Sequence, residues 1–147
     1  MLFRSRGIGQ AIARAYAREG AKLALCARSA TELDQTVKEL RALDREAEGW
    51  ICDVSLEEPV KDFIAGVHKK FGRIDILVNN AGVMTRPTSM TELDIKKWDY
   101  TIAVNLRGPF LAKIGCQASL IDIFSEQQNS NKVCLTLFLF LDRKSVV

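Results

Sequence analysis

The chain has 147 residues, the size of one ordinary domain, and its 48% hydrophobic and 27% charged content is that of a soluble globular protein. Its formal charge of +3 comes without any cluster of Lys and Arg, which argues against a nucleic-acid partner. Residues 1–9 hold no apolar run of signal-peptide type, and the longest apolar segment is about half of what spans a bilayer as a helix, so a cytoplasmic chain with no membrane partner is expected.

In chain order, the periodicity predicts a helix over 7–19. Ile8, Ala11, Ile12, Ala15 and Tyr16 recur at helical spacing, and Gly20 stops it. KLALCA, 22–27, has the length and content of a buried strand. Ser29 and Glu32 form a capping-box pattern ahead of a second helix, whose stripe is Leu33, Val37 and Leu40. A strand is expected over 50–54, with Asp53 near its end. Ser55 and Glu58 form a second capping-box pattern, starting a helix through Phe63, Ile64 and Val67 that Gly72 ends. IDILV, 74–78, reads as a strand apolar on both faces. A loop follows, then a long helix over 94–124, broken by Asn129, Ser130 and Asn131. VCLTLFLFL, 133–141, is the most apolar segment; it reads as a buried strand, or else as a tail with no place in the fold. Left unpaired it would be an aggregation hazard.

Strands and helices alternate in units of βα length, which predicts an α/β domain with a parallel sheet and helices on both faces. With no repeat or linker before about residue 111, residues 1–147 form one domain and 125–147 its divergent tail.

Cys26, Cys52, Cys116 and Cys134 are widely spaced and sit among apolar residues, as small buried hydrophobes do in a reducing compartment. His68 has no ligand-type neighbour and lies in a lysine-rich helical stretch, so it is expected to face solvent, and no metal site is expected.

Ser5, Arg6, Gly7, Ile8 and Gly9 come directly before the first helix. Glycines there let the backbone approach a pyrophosphate, and the helix N-terminus offers N–H groups and a positive dipole end. Three further features stand in order behind it: Cys52-Asp53-Val54 closing one strand, Asn79-Asn80-Ala81-Gly82 following the next, and Asn105-Leu106-Arg107-Gly108 inside the long helix. This set, over about 5–111, resembles the classical short-chain dehydrogenase/reductase family.

The resemblance implies a Rossmann-type doubly wound parallel sheet and hydride transfer between NAD(P) and a carbonyl or alcohol. It implies that Gly7 and Gly9 hold the pyrophosphate and that Ile8 meets the nicotinamide end. Asp53 would accept from the adenine amino group with Val54 beside it, and Asn80, Ala81 and Gly82 would lie along the adenosine ribose. Asn105 would support a water-linked proton path to the family's lysine; its other reading is a polar residue interrupting a helix.

NAD enzymes place an acidic residue after the second strand for the ribose 2′-OH. Here the residues are Ala27-Arg28-Ser29. Arg28 suits a 2′-phosphate, with Arg6 a second candidate, so NADP(H) is expected rather than NAD(H); the alternative leaves both arginines solvated.

The family pattern fails at both ends. Only residues 1–4 precede Ser5, so the first, central strand is expected to be missing and its neighbours left without a shared partner. Leu2 and Phe3 stand where the family has Thr and Gly. Neither Tyr16 nor Tyr100 has a lysine four residues on, and if 133–141 takes the fifth-strand position, Leu137 and Phe138 replace the family's serine. The sheet is therefore expected to be incomplete, as are the catalytic part and the oligomer interface. The expected protein is a truncated form with little or no turnover. Its alternatives are an inactive cofactor- or partner-binding module paired with a complete relative, and a full enzyme whose ends lie outside this sequence.

Overall fold

Alternation along one strand builds the core. β1, Lys22–Ala27, sends Leu23, Leu25 and Ala27 to one face and Ala24 and Cys26 to the other, all fully buried. The computed structural model describes residues 8–84, 92–116 and, as backbone, 133–137. On the first face, α1 (Ile8–Arg18) and α2 (Ala30–Arg41) bury Ala13, Ala17, Leu33, Val37 and Leu40 against β1. On the second, α3 (Glu57–Phe71) and α5 (Gly108–Cys116) bury Phe63, Ile64, Val67 and Ala112. The sheet is thus covered on both sides, as an all-parallel sheet requires.

Gly20, at φ +86°, ends α1 in a left-handed turn that only glycine enters freely, and the Ala21 N–H bonds back to Tyr16. That tight turn reverses the chain into β1 and so sets the N-terminus of α1 beside the carboxyl end of β1.

β2, Ala47–Ile51, pairs parallel with β1 from Leu23↔Ala47 to Ala27↔Ile51. It starts three residues before the strand expected over 50–54. The signal was masked because AEGWI has no apolar alternation: Gly49 sits where a Cβ would come within 2.9 Å of Leu33, so α2 packs directly on backbone. β3, Ile76–Asn79, begins after Asp75, whose carboxylate accepts from the Arg73 Nε–H.

Neither capping box forms. Ser29 is the N-cap of α2 without a side-chain bond, and α3 is capped at Leu56 because the Ser55 hydroxyl donates to Asp53 instead. The single long helix divides in three: α4 (Ile95–Ile102), a π turn (Ala103–Arg107) and α5. Asp94 caps α4 by accepting from the Lys96 N–H at 2.9 Å. Residues 117–124 of the expected helix lie outside the described residues. Val104, Gly108, Ala112 and Cys116, four apart, form its buried stripe, while Trp98, Ile102, Leu106, Phe110 and Ile114 form an exposed apolar one.

β4, Val133–Leu137, corrects two expectations at once. The sheet order is β2-β1-β4-β3, with every pairing parallel. β4 therefore lies between β1 and β3, not beyond β3 at the fifth-strand position. In the family order, 3-2-1-4 across the sheet, this is the slot of the first strand. Its register runs from Lys22↔Val133 to Cys26↔Leu137 on one side and from Ile76↔Cys134 to Asn79↔Leu137 on the other. β1 and β3 are thus not left without a shared partner: facing strand edges present unpaired N–H and C=O groups, and β4 pairs both rows, through five residues on the β1 side and four on the β3 side. Residues 138–141 of the expected strand lie outside the described residues.

Among the described residues Cys26, Cys52 and Cys116 are buried and unbridged, and His68 is exposed. No helix among them is long and apolar enough to cross a membrane.

Candidate functional site

In a parallel sheet every carboxyl end opens on one edge, and ligands bind in the crevice outside it. Arg28 leaves β1 on this edge, Asp53 and Val54 lie just past β2, and Asn80, Ala81 and Gly82 leave β3. The first turn of α1 stands beside them, with Ile8 exposed and Gly9 buried. Ser5, Arg6 and Gly7 of the glycine loop lie outside the described residues.

Local chemistry fixes each exit. The Asp53 Oδ1 accepts from the Ser55 N–H at 2.9 Å and from the Ser55 hydroxyl at 2.7 Å, forming a side-chain turn. Val54 is fully buried against the start of α5: a Cβ on Gly108 would come within 3.0 Å of the Val54 carbonyl oxygen. Only glycine lets the helix approach so closely. The exit from β3 is held from the π turn. The Asn105 carboxamide oxygen accepts from the Val83 N–H and its amide donates to the Val83 carbonyl, each at 2.8 Å. The Asn105-Leu106-Arg107-Gly108 stretch thus touches two strand exits, through Asn105 and through Gly108.

The π turn is what allows this. A π turn puts an extra residue into the helix and is frequent at functional sites. Asn105, at its centre, satisfies both backbone groups of one loop residue, Val83, while itself remaining exposed. The second reading of Asn105, a polar interruption of the helix, is therefore incomplete, because the side chain makes two specific bonds.

The exit from β1 is held from α4. The Arg28 guanidinium donates through Nη1 to the Tyr100 hydroxyl. Among the described residues no carboxylate forms an ion pair with Arg28. Tyr100 thus faces Arg28, not a lysine, and Tyr16 stands on α1. Tyr100 and Ser55 are the contributors that sequence reasoning missed, and the close approach of Gly108 to Val54 was not foreseen. A tyrosine in an amphipathic helix carries no signal of a partner 72 residues away.

Beneath the site, a hydrogen bond from Cys26 lowers the Cys52 thiol from its ordinary 9.0, against burial and the charges of Asp53 and Asp62. Burial pushes the Cys116 thiol up to about 11, with Lys113 opposing. Among the described residues no His, Cys, Asp and Glu group is arranged to hold a metal.

A family model described as short chain dehydrogenase matches residues 4–131. The chain belongs to the short-chain dehydrogenase/reductase family. It is 44% identical over 113 residues to D-threitol dehydrogenase of Mycolicibacterium smegmatis, covering 76% of this chain and 42% of that protein. A metagenomic short-chain oxidoreductase solved in complex with NADP superposes with a TM-score of 0.73 at 39% identity, covering 78% of this chain and 52% of the other. Actinorhodin polyketide ketoreductase with NADPH superposes at 0.71 with 36% identity, covering 75% and 42%. This short-chain dehydrogenase/reductase chain therefore spans about half the length of the relatives it matches.

Proposed function

We propose that residues 1–147 act as one nicotinamide-dinucleotide-binding domain, holding NADP(H) in preference to NAD(H), and that this chain by itself reduces a carbonyl or oxidises an alcohol little or not at all. The observation that carries the reading is Arg28. Its guanidinium stands directly past β1, is held by Tyr100, and has no carboxylate paired with it among the described residues. A cation there suits a 2′-phosphate, whereas a ribose 2′-OH calls for an acid.

The donor set fits the rest of a dinucleotide. Ile8 and Gly9 at the start of α1, with Ser5, Arg6 and Gly7 ahead of them in the sequence, suit a pyrophosphate. The Asp53 carboxylate suits an exocyclic amino group, with Val54 beside it in the chain. Asn80, Ala81 and Gly82 offer small side chains and backbone along a ribose, in a loop fixed by Asn105. The solved relatives that bind NADP and NADPH support this reading. When bound, the cofactor supplies or accepts a hydride; the side chains here bind and orient it.

Turnover needs a proton as well. General acid catalysis contributes about 10²–10⁴-fold, and neither tyrosine of these 147 residues has a lysine four residues on. A second reading makes this chain the front part of a longer enzyme whose remainder supplies that pair. The 42% coverage of D-threitol dehydrogenase favours it.

The test pairs affinity with turnover. Arg28→Ala should weaken NADPH and leave NADH nearly unchanged, and a ketone panel should give rates far below about 1 s⁻¹, a typical enzyme value. Equal loss for both cofactors rules out the Arg28 role, and ordinary turnover by this chain overturns the claim of inactivity.

A further inference from the structure

We infer that Tyr100 is the positioning residue for Arg28 and thereby contributes to discrimination between NADP(H) and NAD(H). This rests on the reading of Arg28 as the 2′-phosphate partner. The Arg28–Tyr100 bond joins the exit of β1 to α4.

The two partners differ in how they are held. α4 buries no residue completely, and Ile95, Trp98 and Ile102 are exposed. Tyr100 alone of its apolar residues packs against the core cluster that contains Cys26, Cys52, Val54 and Val104. The ring is therefore anchored and its hydroxyl is a fixed point. Arg28 is half-buried as Tyr100 is, but its side chain is longer and has more rotamers to restrict. A hydrogen bond from the mobile group to the fixed one selects one orientation of the fork. The bond uses one Nη1 hydrogen and leaves the Nε–Nη2 edge, two parallel donors that match two phosphate oxygens. Tyrosine is neutral, so the guanidinium keeps its charge for the ligand, which a carboxylate in the same place would offset.

Tyr100→Phe tests this, because it keeps the ring that packs on the core and removes only the hydroxyl. NADPH and NADH are titrated into the full chain, with Arg28→Ala and the double variant alongside and thermal unfolding recorded for each. The expected result is an NADPH dissociation constant raised by about 3- to 10-fold, NADH unchanged, and unfolding unchanged. In the Arg28→Ala background, Tyr100→Phe should add nothing further. A purely structural role would move both cofactors together, and that result overturns the inference. So does an unchanged NADPH affinity, or a tighter one, which would mean that Tyr100 competes with the phosphate for Arg28. If Arg28→Ala discriminates and Tyr100→Phe does not, the inference fails alone. If Arg28→Ala does not discriminate, or the unaltered chain binds neither cofactor, the inference falls together with the reading beneath it.

Discussion

Asn105 holds Val83 by both ends of its backbone, accepting from the N–H and donating to the carbonyl at 2.8 Å each. One side chain thereby does for the loop after β3 what a strand partner does for a ladder. Asn105→Ala removes both bonds and should cost about 1–2 kcal/mol of stability, read by urea denaturation. Asn105→Asp keeps the acceptor for the Val83 N–H and loses the donor, so its effect should be intermediate or be worsened by carboxylate–carbonyl repulsion. An unchanged midpoint for the alanine variant would show that the loop is held by other contacts.

Gly108 and Gly82 should respond differently to the same change. A Cβ at 108 meets the Val54 carbonyl at 3.0 Å, a backbone atom that cannot swing aside, whereas at 82 the nearest atom is the Asn105 Oδ1 at an ordinary 3.7 Å. Gly108→Ala should destabilise by about 1–3 kcal/mol and Gly82→Ala by much less, both read by thermal unfolding. Equal effects would contradict the close approach of α5 to Val54.

β4 makes the sheet depend on its middle. Leu135 is paired with Ala24 on one side and Leu77 on the other. Proline there removes a ladder donor and cannot sit in a central strand. With a total stability of only about 5–15 kcal/mol for a domain, Leu135→Pro should abolish cooperative unfolding. A sharp transition retained by that variant would show that β1 and β3 do not need β4 between them.

Much of this was legible in the residues, for reasons that differ from place to place. β1 was read to its ends because KLALCA is a continuous apolar run that packs on both faces. β2 was misplaced because Gly49 makes room for Leu33 and Val37 and so breaks the pattern a strand would show. That Asp53, Val54, Gly82 and Asn105 gather around the strand exits followed from motif order, but what holds them there did not. The links of Arg28 to Tyr100 and of Gly108 to Val54 are tertiary, and spacing carries no trace of them. β4 was legible as a strand but not by position, since an apolar run says that it will be buried and not which edge it will meet.

The buried Cys116 thiol gives a pH signature. Its pKa in the folded chain is pushed up to about 11 from 9.0 by burial, so the folded state keeps the proton longer than the unfolded state does. The corresponding stability is fully present below pH 9.0 and is lost as pH rises through about 11. Cys116→Ala should flatten that part of the stability–pH curve, measured by denaturant midpoints across the alkaline range. A slope unaltered by the substitution would show that another group is responsible.

The unaltered chain should bind NADPH more tightly than NADH. Calorimetric titration of the purified 147-residue chain with NADPH and with NADH measures this without requiring turnover. The predicted result is saturable one-site binding, tighter for NADPH than for NADH. Equal affinities, tighter NADH, or no heat of binding for either cofactor would contradict it.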